Sequence, residues 1–404
     1  MRQVRLLFPA LALTVVVAGS APAQARVPVI TLDRGAKEFA ESFSAITQVL
    51  ELRSGSLLVL DDGEKELRLV DLARGTMRPV GRQGGGPLEY KVPGLLLPGA
   101  ADTASYYDAM QQRLLLVSPQ GTVLRTAPLG VTGDVASMIS RMQPAGTDAA
   151  GHIYGQTTGM KMPTPQSGTQ GPMPTFADTI QIQSLDLRSG KTTRLATIRS
   201  PVAKLAPKME MAGRNVKLIV TAPDFSPQDV WTALPDGRVA MMRDGLYQVR
   251  FVAAGRAETK GPLIPSVAIP VTAREKKALV DSVRKVMDSI MAQATKQSAA
   301  AGGQGAAPSF TADVLEPPRW PAYKPPYMSL QSSPDGRLWV SLSQPTGNQA
   351  TKFDVLNSAG ALIAQVVLAP GERFVGLGRG TVYTVRKDED DLQYVRKYVL
   401  PKLP

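Results

Sequence analysis

Short apolar runs recur along this chain in pairs. A turn containing Gly leads into an apolar strand, a few polar positions follow, and a second strand often closes on Asp. The pattern reads Ser54-Gly55-Ser56-Leu57-Leu58-Val59-Leu60-Asp61, then Leu67-Arg68-Leu69-Val70-Asp71. It returns as Asp236-Gly237-Arg238-Val239-Ala240-Met241-Met242, then Tyr247 to Phe251, and again as Asp335-Gly336-Arg337-Leu338-Trp339-Val340, then Thr351 to Val355. Strands at this spacing with turns between them predict an all-β fold. A unit of this kind is a small antiparallel sheet that cannot bury its faces alone, so the units must pack against one another.

Six units can be placed: about Phe43–Val80, Glu89–Leu129, from near Val135 to Ile198, Val230–Leu263, Tyr327–Leu368 and Arg373–Leu400. The last has three apparent strands. Val27 to Leu32 is the candidate for its fourth, and that pairing closes a ring and removes two sheet edges. Two separate β-sandwiches are the alternative, which the recurrence of one motif disfavours.

Three stretches interrupt the repeat. Residues 159–178 are rich in Pro, Gly, Met and Thr and read as a flexible loop. Residues 200–228 form a Pro-punctuated connection, and residues 298–309 a linker of Ala, Gly, Gln and Ser. Between the fourth and fifth units lies the one strong helix signal, over 272–297. Thr272-Ala273-Arg274-Glu275 is a capping box, and Leu279, Val283, Val286, Met287, Ile290, Met291 and Ala294 follow at helical spacing. The helix is expected over one face or side of the ring, or as a lid hinged on 298–309.

The ends and the composition narrow the setting. Arg2 and Arg5 precede an apolar run from Leu6 to Ala18, and Ala23-Gln24-Ala25 is a small-x-small cleavage site. Residues 1–25 therefore read as a signal peptide, 26–404 as the mature chain, and the location as periplasmic or extracellular. No transmembrane segment is expected in that mature chain. The absence of Cys leaves the fold to its core. The formal charge is +12, but the Lys and Arg are scattered and aromatics make up only 5% of the chain, which argues against nucleic-acid binding.

The stretch Val80-Gly81-Arg82-Gln83-Gly84-Gly85-Gly86-Pro87-Leu88-Glu89-Tyr90, with Pro270-Val271-Thr272, the helix, Tyr327 to Val340 and the short final unit, resembles bacterial exported six-bladed β-propeller proteins similar to NHL-repeat propellers. The resemblance covers nearly the whole mature chain, apart from the 159–178 insertion and a weak second unit. It implies a six-bladed β-propeller of four-stranded antiparallel blades with one helical insertion. It also implies a ligand-binding face near Arg82, Glu89, Tyr90, Tyr107, Asp108, Arg141, Trp231 and Tyr327.

Chemistry is thinly signalled. Gly84 to Gly86 lack the Gly-Lys-Ser/Thr of a phosphate loop and read as a tight turn that needs unusual backbone angles. His152 is the only His, so zinc or copper sites built from His and Cys are excluded. An oxygen-only calcium site is the remaining metal reading, yet Asp61, Asp62 and Asp108 at strand ends fit turn chemistry. No catalytic or metal-binding residue is assigned, and no cofactor. The expected role is a scaffold for a protein or small-molecule ligand; the alternative is a metal-dependent propeller enzyme of the lyase or lactonase type.

Overall fold

The computed structural model of the chain describes residues 27–129, 142–157, 159–161, 175–200, 208–212, 215–300, 309–347 and 350–403. Residues 1–26, 130–141, 162–174 and 301–308 lie outside the described residues, and with them the expected signal peptide, the expected start of the third unit near Val135, Arg141, and most of the stretches 159–178 and 298–309. No helix among the described residues is long and apolar enough to cross a membrane.

Seven sheets of three or more strands are present among the described residues, against the six units expected. Six of them match those units, with first strands Ile46–Glu51, Pro93–Pro98, Met142–Thr147, Val230–Ala233, Tyr327–Ser332 and Arg373–Leu377. They are called sheets 1 to 6 in that order. The hairpin after the first strand is one turn used repeatedly. In it a residue's N–H donates to the carbonyl four positions on, and the N–H three positions on donates back. The pairs are Leu52 with Ser56 and Gly55, Asp148 with His152 and Gly151, Leu234 with Arg238 and Gly237, and Ser333 with Arg337 and Gly336. The Gly in each has φ between +81° and +90°, a left-handed conformation that side chains resist.

The second strands explain how the sheets assemble. Leu57–Asp61, Ala104–Asp108 and Val239–Met242 are buried at every position. Because strand side chains alternate, successive residues face different neighbours. Leu57 and Val59 pack with sheet 6, whereas Leu58 and Leu60 pack with sheet 2. Further clusters join sheets 2 and 3, 3 and 4, 4 and 5, and 5 and 6. The succession thus returns to its starting sheet, and the chain is an all-β propeller apart from its inserted helix. Each fully buried Leu in these clusters contributes about 1.5–3 kcal/mol.

The N-terminal segment behaves differently from the expectation. Val29–Leu32 adds a parallel fifth strand to sheet 5, against Gln365 to Leu368. The fourth strand of sheet 6 is instead Lys37–Glu38, antiparallel to Lys397 and Arg396. Phe39 and Phe43 continue that contact by donating main-chain bonds to Val395 and Gln393, both of 2.8–2.9 Å. The segment therefore ties two sheets together. Its alternating Val and Ile fitted either edge, and sequence pattern alone does not choose between them.

The unexpected seventh sheet joins Lys208–Ala212, Asn215–Thr221 and Phe310–Leu315. The expected connection over 200–228 therefore contains two strands. It was missed because its parallel partner, paired Val216 with Phe310, lies beyond sheet 4 and the helix. The expected 159–178 loop likewise holds a small hairpin base, Met160–Lys161 with Thr175–Phe176.

The helix runs from Ala273 to Ala300, three residues beyond the expected end. Its capping box is formed: Glu275 N donates to Thr272 Oγ1 at 3.3 Å, and Thr272 N donates to Glu275 Oε2 at 2.9 Å. It packs along Phe310–Leu315 of the three-stranded sheet. Glu275 also accepts from Lys324 and Thr346, which moors the helix start beside sheet 5. Burial alone would raise the Glu275 carboxyl, but Lys324 and the threonine hydroxyls outweigh it and hold it at about 2.

Two expectations follow. A Cβ at Gly376 would lie 2.1 Å from the Val49 carbonyl oxygen, where sheet 6 meets sheet 1. Gly376→Ala should cost about 1–3 kcal/mol of stability, read from a urea unfolding curve; an unchanged midpoint would show that this seam is loose. Glu38 is bound by Arg386 at 2.8 Å and by Arg396 at 2.5 Å, and those guanidiniums lower its carboxyl from 4.5 to about 2. Its stabilisation is present above pH 4.5 and is lost as pH falls through about 2. Glu38→Gln should therefore lower Tm at pH 7, by about 1 kcal/mol in stability, with the gap shrinking only below pH 4.5. A gap independent of pH would contradict the pairing.

Candidate functional site

The first strands of all six ring sheets surround one cavity of about 480 Å³. Each presents an edge with no strand beside it on that side, and side chains take over part of the bonding. Gln48 donates its amide to the Leu96 carbonyl at 2.8 Å and accepts from the Leu96 N–H at 2.8 Å, strapping sheet 1 to sheet 2. Thr147 donates to the Pro98 carbonyl, joining sheets 2 and 3. Ser332 donates to the Ala233 carbonyl at 2.6 Å, joining sheets 4 and 5.

No ionisable side chain lines this cavity among the described residues. It is lined by Leu and Val residues of the first strands, by Gly94, Gly146 and Gly376, by Trp231 and Phe374, and by polar residues among which are Thr47, Thr232 and Gln331. Trp231 spends its indole N–H on Gln156 at 2.9 Å, which fixes the ring against the wall.

At the end where the first strands finish, the cavity meets a mouth of about 210 Å³. The two share Leu50, Pro98, Thr147, Pro235 and Pro334. The mouth adds Glu51, Arg53, Asp102, Asp148 and Arg379. Glu51 accepts from Lys397 at 2.9 Å, Thr381 at 2.8 Å and the Arg379 N–H at 3.1 Å. Burial would raise its carboxyl, but Lys397 and Thr381 bring it below its ordinary value. Asp148 accepts from His152 N at 2.9 Å, Ala150 N at 3.0 Å and the Tyr154 hydroxyl at 3.0 Å, and it pairs with His152 Nδ1 at 2.7 Å. Burial first, and then the Asp148 charge, pushes the Tyr154 hydroxyl well above its ordinary range.

The residues named from the sequence are scattered relative to this cavity. Trp231 lines it. Arg82 and Glu89 pair with each other at 2.5 Å in the connection between sheets 1 and 2. Tyr90 is buried, receives a 3.4 Å bond from Leu67 N and packs edge-on against Tyr106. Tyr107 lies in the cluster between sheets 2 and 3. Asp108 is fully buried and accepts from Lys91, Met110 and Gln111 main-chain N–H groups. Tyr327 is buried beside Tyr247, in the cluster between sheets 4 and 5. Arg141 is outside the described residues.

The glycine run has a different cause from the one expected. Gly84, Gly85 and Gly86 do not have positive φ. The Glu89 carboxylate folds over the run instead: it accepts from Gly86 N at 2.7 Å and lies where side chains at Gly84 and Gly86 would displace it. Asp61 repeats the Asp108 role by accepting from Ala45 at 2.9 Å and Gly63 at 3.0 Å. Among the described residues no group of three or more His, Cys, Asp or Glu side chains is placed to hold a metal ion.

Sequence reasoning passed over Thr47, Gln48, Gln331, Arg53 and Arg379. Each sits on a first strand or on the turn that follows it, and only the fold brings them to one space. Gln48→Leu should cost about 1–3 kcal/mol, because both Leu96 main-chain groups lose their partners. Thermal melts of this variant beside Thr47→Val will check it; equal melting temperatures would remove the strap from the account.

No family model matches the chain, and no curated protein matches it. Solved structures similar to it include a DUF4221-family protein from Bacteroides vulgatus, 10% identical, covering 91% of this chain and 94% of that one at a TM-score of 0.44. A gluconolactonase from Xanthomonas campestris is 11% identical over 95% of this chain and 97% of its own, at 0.41. Virginiamycin B lyase from Staphylococcus aureus is 9% identical over 90% and 99%, at 0.40. Likeness at this level says nothing about chemistry.

Proposed function

We propose that the chain is a six-bladed propeller whose seventh sheet and helix are carried outside the ring, and that it acts as an exported binding scaffold. Its axial cavity takes the uncharged body of a small molecule. The observation that carries this is the cavity wall: six strands contribute, none brings an ionisable side chain, and Trp231, Phe374 and Gln331 offer two aromatic surfaces and an amide. Concave sites of a few hundred Å³ with a few polar groups suit small ligands. The blade count rests on the six sheets that line the cavity, to which the three-stranded sheet contributes nothing. The exported location rests on the signal segment at 1–25.

A metal-dependent lyase or lactonase is the competing reading, and it needs carboxylates or imidazole converging at the axis. The two separate in one experiment. A screen of uncharged and charged fragments by ligand-observed NMR should yield uncharged binders that are lost in Trp231→Ala and Gln331→Ala. Uncharged fragments indifferent to both substitutions would overturn the cavity reading. Hydrolysis of gluconolactone on addition of calcium or zinc would favour the enzyme.

A further inference from the structure

We propose that the mouth of the axial cavity, between the turns bearing Arg53 and Arg379, receives the carboxylate of a small monoacid whose uncharged body lies in the cavity. This rests on the binding reading above and adds the charge of the ligand to it.

Most of the charges at the mouth are already engaged. Glu51 is held by Lys397, Thr381 and the Arg379 main chain. Asp148 is held by His152, Tyr154 and two main-chain donors. Asp102 accepts the Arg53 N–H at 2.5 Å. Arg53 and Arg379 line the same mouth, and among the described residues neither side chain has an ion pair or a hydrogen bond. They are set on adjacent sheets, by the turn after Leu52 and by Gly378-Arg379-Gly380. Both turns are fixed by main-chain bonds, so the two exposed side chains start from rigid supports at one rim.

A guanidinium presents paired donors that match a carboxylate in two-point contact. Between the arginines and the cavity lie Leu50, Pro98, Pro235 and Pro334, an apolar collar that both spaces share. A ligand with its acid at the mouth therefore places its next atoms past that collar and its remaining body beside Trp231 and Gln331.

The same surroundings favour a singly charged acid. Glu51, Asp102 and Asp148 also line the mouth and oppose any added negative charge, a dianion more than a monoanion. A carboxylate fits this arrangement better than a phosphate monoester, which is close to doubly charged at neutral pH.

The test uses matched fragment triplets on one aromatic body: benzoate, benzamide and phenyl phosphate. Dissociation constants are measured by NMR titration against the full chain at low and high salt. Benzoate should bind about tenfold more tightly than benzamide, the size expected of charge-assisted hydrogen bonds. That advantage should vanish in Arg53→Ala/Arg379→Ala and weaken in salt, while Arg74→Ala, an exposed arginine paired with Asp71 away from the mouth, keeps it. Benzoate no tighter than benzamide, or an advantage that survives the double substitution, overturns the proposal. Phenyl phosphate as the tightest binder overturns the choice of a monoacid. Benzoate binding that needs the arginines but ignores Trp231→Ala supports the mouth and sinks the cavity reading, so the two failures are distinguishable. No binding by any member of the triplet overturns both.

Discussion

A sheet with two apolar faces needs two neighbours, and the rest of this structure follows from that requirement. The second strand of sheet 1 sends Leu57 and Val59 one way and Leu58 and Leu60 the other, and all four are buried. An open stack would leave one such face in water at each end. Closing the stack on itself gives every sheet both neighbours, and it leaves the first strands as unpaired edges around a central space. The cavity is a by-product of that closure. Side chains such as Gln48, Thr147 and Ser332 bridge from strand to strand where the ladder cannot.

Charge pairs gather at the last sheet. Within sheet 6, Glu38, Arg386, Arg396 and Glu372 form a continuous chain of ion pairs, and Lys397 reaches across to Glu51 of sheet 1. The basic composition is thus partly structural. Elsewhere the arginines cap turns, as Arg238 and Arg337 do beside Asp236 and Asp335.

The repeat was legible because its causes are local. The Gly of each turn is fixed by its left-handed backbone, Thr272 and Glu275 announce a helix start, and a run such as Leu57–Leu60 can only belong to a strand covered on both sides. What could not be read depended on partners far away. Val29–Leu32 suited either of two edges, and its main-chain pairing with Gln365 to Leu368 shows which one it took. The seventh sheet pairs segments on either side of a whole unit. The cavity draws one strand from each of six units, so its polar wall has no motif in any of them. The resemblance placed Tyr90 and Tyr327 near a ligand-binding face, and both are buried in clusters between sheets.

The tie between Ile46 and Gln393 spans 347 positions of sequence. During synthesis the first sheet is therefore complete in its strands long before the surface that covers its outer face exists. Leu57, Val59 and Val70 must wait for Tyr383 and Val395. The entropic cost of so long a loop is small, growing by only about 0.6 kcal/mol for each doubling of length, but the search for it is slow. A half-made ring is thus a chain with an apolar flank held open in time, and a cell that makes this protein must shelter that flank until the final strands arrive.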